Sequence, residues 1–311
     1  MSKARELSQR AGVDGALSNR NLIINGAMQV AQRGTSWSVT GYGSLDRWFL
    51  ALSGATATLS QESFTLGQTD VVGAEYYAKV AVTTGNNNSG LYYKVEAKDV
   101  IKAGGQDVTL SYWAKGTSPT NGLKVGLLLV ATGAPTFPSD ESVTLTSTWT
   151  KYTHTFTLPS FSGTTLDASS YLELHFDQDD GDTGTAAWEL NITQVQLEVG
   201  DTATPFEHRS YGQELALCQR YYRKALIHLA NGGRMAAGSW LTDCLFHIGF
   251  PVTMRTAPSL SYSGFTNLDN CTGGVSFNSV TDSSVYGAYG IINTGYPYGM
   301  CYFYISQDAE L

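Results

Sequence analysis

Segments in which apolar and polar residues alternate recur along most of the chain. Such alternation is typical of β-strands that bury one face. Clusters of Gly, Pro, Asn and Asp separate the segments, and the pattern predicts eight strands: Ala55–Ser60, Glu75–Val82, Leu91–Val95, Val108–Lys115, Leu123–Ala131, Trp149–Leu158, Tyr171–Asp177 and Trp188–Val199. This spacing is typical of a β-sandwich, and the number of strands suits a jelly roll.

Ordered structure is predicted to begin at Asn21. Residues 22–24 form a short apolar run, and Asn25-Gly26 is a strong turn signal. Residues 1–20 are polar and are interpreted as an N-terminal attachment segment or a flexible arm. The sandwich is therefore predicted over residues 21–208.

A helix is predicted after the last strand of the sandwich. The strand alternates, which places Ile192, Gln194, Gln196 and Glu198 on one predicted face and Thr193, Val195, Leu197 and Val199 on the other. Ser210 and Gln213 have the spacing of a capping box, and the helix is predicted over residues 209–224. Four apolar residues recur at helical spacing, and they predict packing against the sandwich or against a neighbouring subunit: Leu215, Cys218, Tyr221 and Tyr222.

Residues 225–311 are predicted to form a second, smaller β-domain. Strand-like segments continue there: Leu226–Ala230, Ser239–Phe250, Ser259–Tyr262, Val275–Phe277, Ala288–Ile292 and Met300–Ser306. The predicted fold class is therefore all-β, a jelly-roll β-sandwich joined by a short α-helix to a smaller C-terminal β-domain.

Charge and composition exclude several classes of function. Charged residues make up only 15% of the chain, and the net charge is −8. Lys and Arg are scattered, whereas a nucleic-acid binder concentrates them to neutralise phosphates. The sequence contains no apolar run of the roughly 20 residues that would cross a bilayer. We therefore expect no nucleic-acid partner and no membrane insertion.

Metal and catalytic motifs are nearly absent from the sequence. The four cysteines show no CxxC spacing, and the five histidines are dispersed. One loop is rich in carboxylates, Asp177, Asp179, Asp180 and Asp182 around Gly181, and it is interpreted as a Ca²⁺ site or as a solvated acidic turn. Glu173 and Asp177 lie close together in the chain, but no motif indicates that they form a glycosidase pair. We predict that the protein is not an enzyme.

Aromatic residues supply the candidates for ligand contact. Trp113, Trp149 and Trp188 lie in or beside predicted strands, where they would pack in the core or stack on sugars. Four tyrosines near the C-terminus, Tyr286, Tyr289, Tyr296 and Tyr298, lie among Gly, Ser and Asn, a composition that suits adaptable recognition. They are predicted to contact a receptor, although the neighbouring tyrosines could equally alternate along a strand.

Three segments resemble a recurrent type of bacteriophage tail-fibre and virion structural protein. The opening Asn21-Leu-Ile-Ile-Asn-Gly26 with Gln32-Arg-Gly34 and Asp46-Arg-Trp48 is similar to the opening of that family. The segment from Gln196-Leu-Glu-Val-Gly200 through Thr204-Pro-Phe-Glu-His-Arg-Ser210 to Tyr222 resembles its domain junction, and Asp308-Ala-Glu-Leu311 resembles its ending. The resemblance implies a jelly roll like those of carbohydrate-binding modules, a variable distal domain and assembly on the virion, commonly as a trimer.

These observations predict a non-enzymatic virion protein, made in the host cytoplasm, that forms a trimeric tail fibre. Its partners would be further copies of the chain, other tail proteins and a host-surface glycan or protein. Two alternatives stay open: a collar, decoration or head-fibre protein without receptor contact, and a depolymerase that degrades surface polysaccharide.

Overall fold

The computed structural model describes residues 20–85, 89–137, 140–178, 184–231, 243–269, 271–291 and 299–311. The chain divides into two compact units. The first runs to Glu214 and includes Leu311, and the second runs from Leu215 to Glu310. No helix in the described ranges is long and apolar enough to cross a membrane.

The first unit is a β-sandwich of two antiparallel sheets. Eleven strands are assigned in it: β1 Ser36–Trp37, β2 Trp48–Ala51, β3 Thr56–Ser63, β4 Tyr76–Thr84, β5 Gly90–Glu96, β6 Asp107–Thr117, β7 Leu123–Val130, β8 Glu141–Val143, β9 Thr150–Thr157, β10 Tyr171–Gln178 and β11 Trp188–Val199. One sheet has the order β1-β3-β4-β11-β6-β9, and the other has the order β2-β5-β10-β7-β8. A single helical turn, α1 (Ala97–Val100), follows β5.

Alternation along the strands builds the core of this sandwich. In β10 the residues Leu172, Leu174 and Phe176 are fully buried, and in β6 the residues Leu110 and Tyr112 are as well. These side chains belong to one continuous apolar cluster that both sheets share. The predicted all-β sandwich is confirmed, because strand alternation is a local property that burial on one face enforces.

The prediction for the two faces of β11 was wrong. The pairing of β11 with β6 shifts register between Thr193 and Gln196, and Gln194 adopts a φ of 49°. This β-bulge moves Val195 onto the same face as Ile192, and both are fully buried. Gln194 and Gln196 are also buried, so the strand is covered on both sides instead of half-buried.

A buried polar network joins the opening segment that begins at Asn21 to the junction segment that contains Arg209. The network consists of Asn21, Asn25, Glu207, Arg209 and Glu214. Arg209 donates from Nη2 to the Asn21 carbonyl at 2.6 Å, and the Asn21 side chain donates to the Val195 carbonyl at 3.1 Å. The Glu214 carboxylate accepts the Asn25 backbone N–H. Segments 174 to 189 residues apart in the chain are thereby tied together within the first unit.

Helix α2 (Tyr211–Gln219) follows the junction segment. Its capping box forms as predicted, since the Ser210 N–H donates to Gln213 Oε1 at 3.0 Å and the Gln213 N–H donates to Ser210 Oγ at 3.4 Å. The helix is shorter than the predicted span 209–224. It ends early because Tyr222 starts a strand whose ten residues all pair with a neighbour.

The second unit contains two three-stranded antiparallel sheets. Its strands are β12 Tyr222–Asn231, β13 Asp243–Gly249, β14 Ser259–Asp269, β15 Cys271–Val280, β16 Ser284–Ile291 and β17 Gly299–Asp308. The sheet orders are β12-β17-β14 and β13-β16-β15. A small core contains Phe246, Val285, Cys301, Phe303 and Ile305. The predicted smaller C-terminal β-domain is confirmed.

Candidate functional site

Aromatic and ionisable side chains gather on the outer face of the five-stranded sheet. The core-facing residues of β5, β7 and β10 are apolar, so the alternate residues point away from the core. The register places His175 between Tyr92 and Gly126, and it places Glu173 between Lys94 and Leu128. Residues distant in sequence therefore form one continuous polar and aromatic surface.

The centre of this face is a His–Asp pair held over a glycine. His175 Nε2 lies 3.2 Å from Asp140 Oδ1. A Cβ atom on Gly126 would come within 1.9 Å of Asp140 Oδ1 and 2.6 Å of His175 Nε2. Both polar groups therefore rest directly on the backbone of β7, in space that any side chain at position 126 would occupy.

Tyr92 connects this pair to Asp177. The Tyr92 hydroxyl donates to Asp177 Oδ2 at 2.5 Å, and its ring lies 5.9 Å from the His175 ring, centroid to centroid. Because β10 places His175 and Asp177 two residues apart, both lie on the same face of the strand.

Burial shifts the ionisation of these groups in different directions. Burial raises the pKa of Asp177 to about 6, although His175 and the Tyr92 hydroxyl oppose the shift. Burial disfavours the charged form of His175, but the hydrogen bond to Asp140 and the surrounding carboxylates outweigh it and raise its pKa. The hydrogen bond from His175 lowers the pKa of Asp140. The face therefore changes charge in the weakly acidic range.

Glu173 and a lysine–aromatic cluster extend the face beyond His175. Burial raises the pKa of Glu173, and the charges of His175 and Lys94 oppose this. Lys94 Nζ lies 4.4 Å from the centre of the Tyr171 ring and 5.4 Å from that of Phe49. It also donates to the Leu311 carbonyl at 3.0 Å. Lys94 thus fixes the two rings at this end of the face.

The two carboxylates of β10, Glu173 and Asp177, are arranged poorly for glycoside hydrolysis. Glu173 and Asp177 lie four residues apart on one strand, which separates their Cα atoms by about 13 Å along β10. Hydrolysis requires two carboxyl groups about 5–9.5 Å apart on opposite sides of a sugar. The intervening His175 also belongs to a different hydrogen-bonded pair. Glu173 and Asp177, two residues of the same strand, therefore lack the usual placement of a hydrolytic pair.

Of the four carboxylates in the predicted Ca²⁺ loop, the structure describes one. Asp177 is 6% exposed and accepts the Tyr92 hydroxyl. Asp179, Asp180 and Asp182 lie outside the described residues. Within the described part of the chain, no three His, Cys, Asp or Glu side chains lie close enough to hold a metal ion. Calcium binding stays a prediction.

The predicted receptor tyrosines lie far from this face in sequence. Tyr286 is half-buried on β16, where its backbone pairs with His247 of β13. Tyr289 lies on the same strand, while Tyr296 and Tyr298 lie outside the described residues. Their role in recognition stays a prediction.

Three of the four predicted packing residues are buried in this chain. Cys218, Tyr221 and Tyr222 are at most 6% exposed, and Leu215 is half-buried. The Tyr221 carbonyl accepts the Ala309 N–H at 2.7 Å, and the Tyr222 hydroxyl donates to Ser306 Oγ at 3.1 Å. Their burial needs no neighbouring subunit.

The three tryptophans have different environments. Trp188 is 3% exposed and donates from Nε1 to Gln178 Oε1 at 3.1 Å, so it cannot stack on a sugar. Trp113 is half-buried on the outer face of the six-stranded sheet. Trp149 packs against two other aromatic rings: its ring centroid lies 5.1 Å from that of Phe64 and 5.4 Å from that of Tyr77.

Sequence reasoning missed most of the site. It noted Glu173 and Asp177, interpreted His175 only as one of the dispersed sheet or turn histidines, and did not single out Tyr92 or Asp140. The signal was present in the alternation of Tyr171–Asp177, whose outward positions carry Tyr, Glu, His and Asp. Strand pairing alone brings Tyr92 and Asp140 beside them: β5, which carries Tyr92, pairs with β10, and β8, which directly follows Asp140, pairs with β7 next to β10.

Similarities to known proteins are confined to solved structures. No protein-family model matches the sequence, and no curated protein matches it. The N-terminal cellulose-binding domain of a Cellulomonas fimi β-1,4-glucanase is 20% identical; the match covers 56% of this chain and 100% of that one, with a TM-score of 0.32.

Two further solved structures are similar over a comparable share of the chain. The C-terminal family 22 carbohydrate-binding module of a Clostridium thermocellum xylanase is 12% identical. The match covers 55% of this chain and 98% of that module, with a TM-score of 0.34. A Stig cyclase from Fischerella is 10% identical; the match covers 58% of this chain and 96% of the cyclase chain, with a TM-score of 0.36. Similarity this low does not bear on ligand or activity.

Proposed function

We propose that the first unit binds a carbohydrate chain on the outer face of the five-stranded sheet. The observation that carries this proposal is the joint placement of Tyr92, Tyr171, Glu173, His175 and Asp177 on one sheet face. A sugar ring offers apolar C–H surfaces beside hydroxyl groups, so it is bound by aromatic rings flanked by hydrogen-bonding side chains. This face provides both kinds of group.

The proposed activity is binding without cleavage. Glu173 and Asp177 stand on the same strand, about 13 Å apart at their Cα atoms, instead of on opposite sides of a sugar, and His175 is engaged with Asp140. A rigid sheet holds the side chains in fixed positions, which reduces the entropy lost when an extended ligand binds. Both features favour an attachment module over a depolymerase.

We propose that the protein is a tail-fibre component of a virion, where it attaches the particle to a host-surface glycan. In this proposal the chain forms a homotrimer, and the homotrimer binds other tail proteins. The resemblance of the opening and junction segments to phage fibre proteins supports this role. The burial of those segments in the network around Arg209 supports a structural task for them and leaves ligand contact to other surfaces.

The test is a glycan-binding assay with matched aromatic variants. Tyr92→Ala and Tyr171→Ala remove rings from the proposed face, whereas Trp149→Ala removes a ring from outside it. Tyr296→Ala with Tyr298→Ala tests the tyrosines predicted in the second unit. We expect Tyr92→Ala and Tyr171→Ala to weaken binding to bacterial surface polysaccharides by tenfold or more, corresponding to about 1.4 kcal/mol.

Thermal melts would establish that each variant is folded. Binding that is unchanged in Tyr92→Ala and Tyr171→Ala but lost in the tyrosine variants of the second unit would move the site there. Release of oligosaccharides from the polysaccharide by the wild-type protein would contradict binding without cleavage. Light scattering that gives a stable monomer at micromolar concentration would contradict the trimer.

A further inference from the structure

We infer that the outer face of the five-stranded sheet selects glycans without negative charge, and that Glu173 determines this selectivity by accepting hydrogen bonds from sugar amino and hydroxyl groups. The inference rests on the proposed carbohydrate-binding function and specifies its ligand class.

Carboxylates occupy the middle of the face. Glu173 and Asp177 lie on either side of His175 along β10, each about 7 Å from it by strand geometry. Asp140 approaches His175 from across the neighbouring strand, with 3.2 Å between Oδ1 and Nε2. A ligand that crosses the middle of β10 therefore passes close to at least one carboxylate.

The cations of the face are already engaged by the protein. Lys94 contacts the Tyr171 ring and donates to the Leu311 carbonyl. His175 is paired with Asp140. Lys124 lies opposite Asp177 in the strand register, and its charge interacts with Asp140, whose pKa it helps to lower. An anionic sugar would have to displace one of these contacts before it gained a cation of its own.

Glu173 differs from the other ionisable groups on this face. Among the residues that the structure describes, no hydrogen bond or ion pair satisfies its half-buried carboxylate, and burial raises its pKa. Such an acceptor gains when a ligand supplies a donor. A protonated amine gains more than a hydroxyl, because the hydrogen bond joins two opposite charges. Amino sugars are therefore the preferred ligands, followed by neutral sugars.

The test compares three oligosaccharides of similar length by calorimetry on the full chain. A chito-oligosaccharide is neutral, its de-N-acetylated form is cationic at a pH that keeps its amines protonated, and an oligogalacturonide is anionic. We expect the cationic form to bind most tightly and the anionic form least. Glu173→Gln should weaken binding of the cationic form by about tenfold to a hundredfold and the neutral form less.

Glu62→Gln is the matched control, because it makes the same change of charge on β3 of the other sheet. An unchanged preference for the cationic over the neutral oligosaccharide in Glu173→Gln would overturn the inference. Tight binding of the oligogalacturonide that is lost in Tyr171→Ala would also overturn the inference. In that case the proposed carbohydrate-binding function would stand. Binding of all three oligosaccharides that is insensitive to Tyr92→Ala and Tyr171→Ala would instead overturn the proposed function itself.

Discussion

Replacing Arg209 by Ala should destabilise the sandwich severely. The guanidinium is 10% exposed and donates to the carbonyls of Asn21 at 2.6 Å and Ile23 at 3.1 Å. It also lies 3.6 Å from the carboxylates of both Glu207 and Glu214, which are 9% and 7% exposed. The substitution therefore removes two charged hydrogen bonds and leaves two buried carboxylates without their cation.

The expected cost follows from these contacts. Removing one partner of a buried ion pair costs about 3–5 kcal/mol, largely because the remaining charge stays buried. The two hydrogen bonds to carbonyls belong to the same network, so their contributions do not simply add. We expect Arg209→Ala to lower the free energy of unfolding of the first unit by about 3–5 kcal/mol.

The loss should also depend on pH. Burial raises the pKa of Glu214, although the Asn25 N–H and Arg209 oppose the shift, and removing Arg209 would raise it further. A carboxyl whose pKa is raised by folding stabilises the fold below its unfolded pKa, and this stability is lost as pH rises through the folded value. The deficit of Arg209→Ala should therefore grow as pH rises through the pKa of Glu214 and shrink in acid.

Urea unfolding followed by tryptophan fluorescence would measure this deficit at several pH values. Lys151→Ala, an exposed substitution on β9, serves as the control and should change stability by about 0.5 kcal/mol or less. Adding Glu214→Gln to Arg209→Ala should restore part of the stability at neutral pH. A deficit below about 1 kcal/mol, or one that does not change with pH, would refute the reasoning.

Three further predictions concern other parts of the chain. Asp177→Asn should remove a pH dependence of up to about 3 kcal/mol from the free energy of unfolding. Because the pKa of Asp177 is about 6 in the fold, the wild type should lose stability as pH rises from about 4 to above 6. Urea unfolding of both proteins across this range would show the difference. Gly116→Ala should destabilise the sandwich more than Gly67→Ala in thermal melts. Both glycines have positive φ, but only the new Cβ at position 116 would meet a backbone carbonyl, at 1.9 Å. Cys218 and Cys301, both fully buried, should resist alkylation in the native protein and react after unfolding, as mass spectrometry of digested protein would detect.

The strands of the sandwich could be predicted because their cause is local. Burial of one sheet face enforces alternation, and Leu172, Leu174 and Phe176 show it within a single strand. The bulge at Gln194 could not be predicted from the same rule. It interrupts the alternation of β11, and its cause is the pairing with β6. The end of α2 was also misplaced, because pairing of Tyr222 with Asp308 outweighs local helical spacing.

The sequence by itself determined the class of fold, the capping box at Ser210 and Gln213, and the position of the short helix between two β-rich parts. These depend on residue periodicity and on contacts within a few positions of the chain. Tertiary structure alone decided the candidate site. Tyr92, Asp140 and His175 come from separate strands or loops. They meet only because β5 and β7 pair with opposite edges of β10 and because β8, which directly follows Asp140, pairs with β7. Side chains that act together across a sheet leave no periodic signal in the sequence, since hydrogen bonding between distant strands sets their spacing.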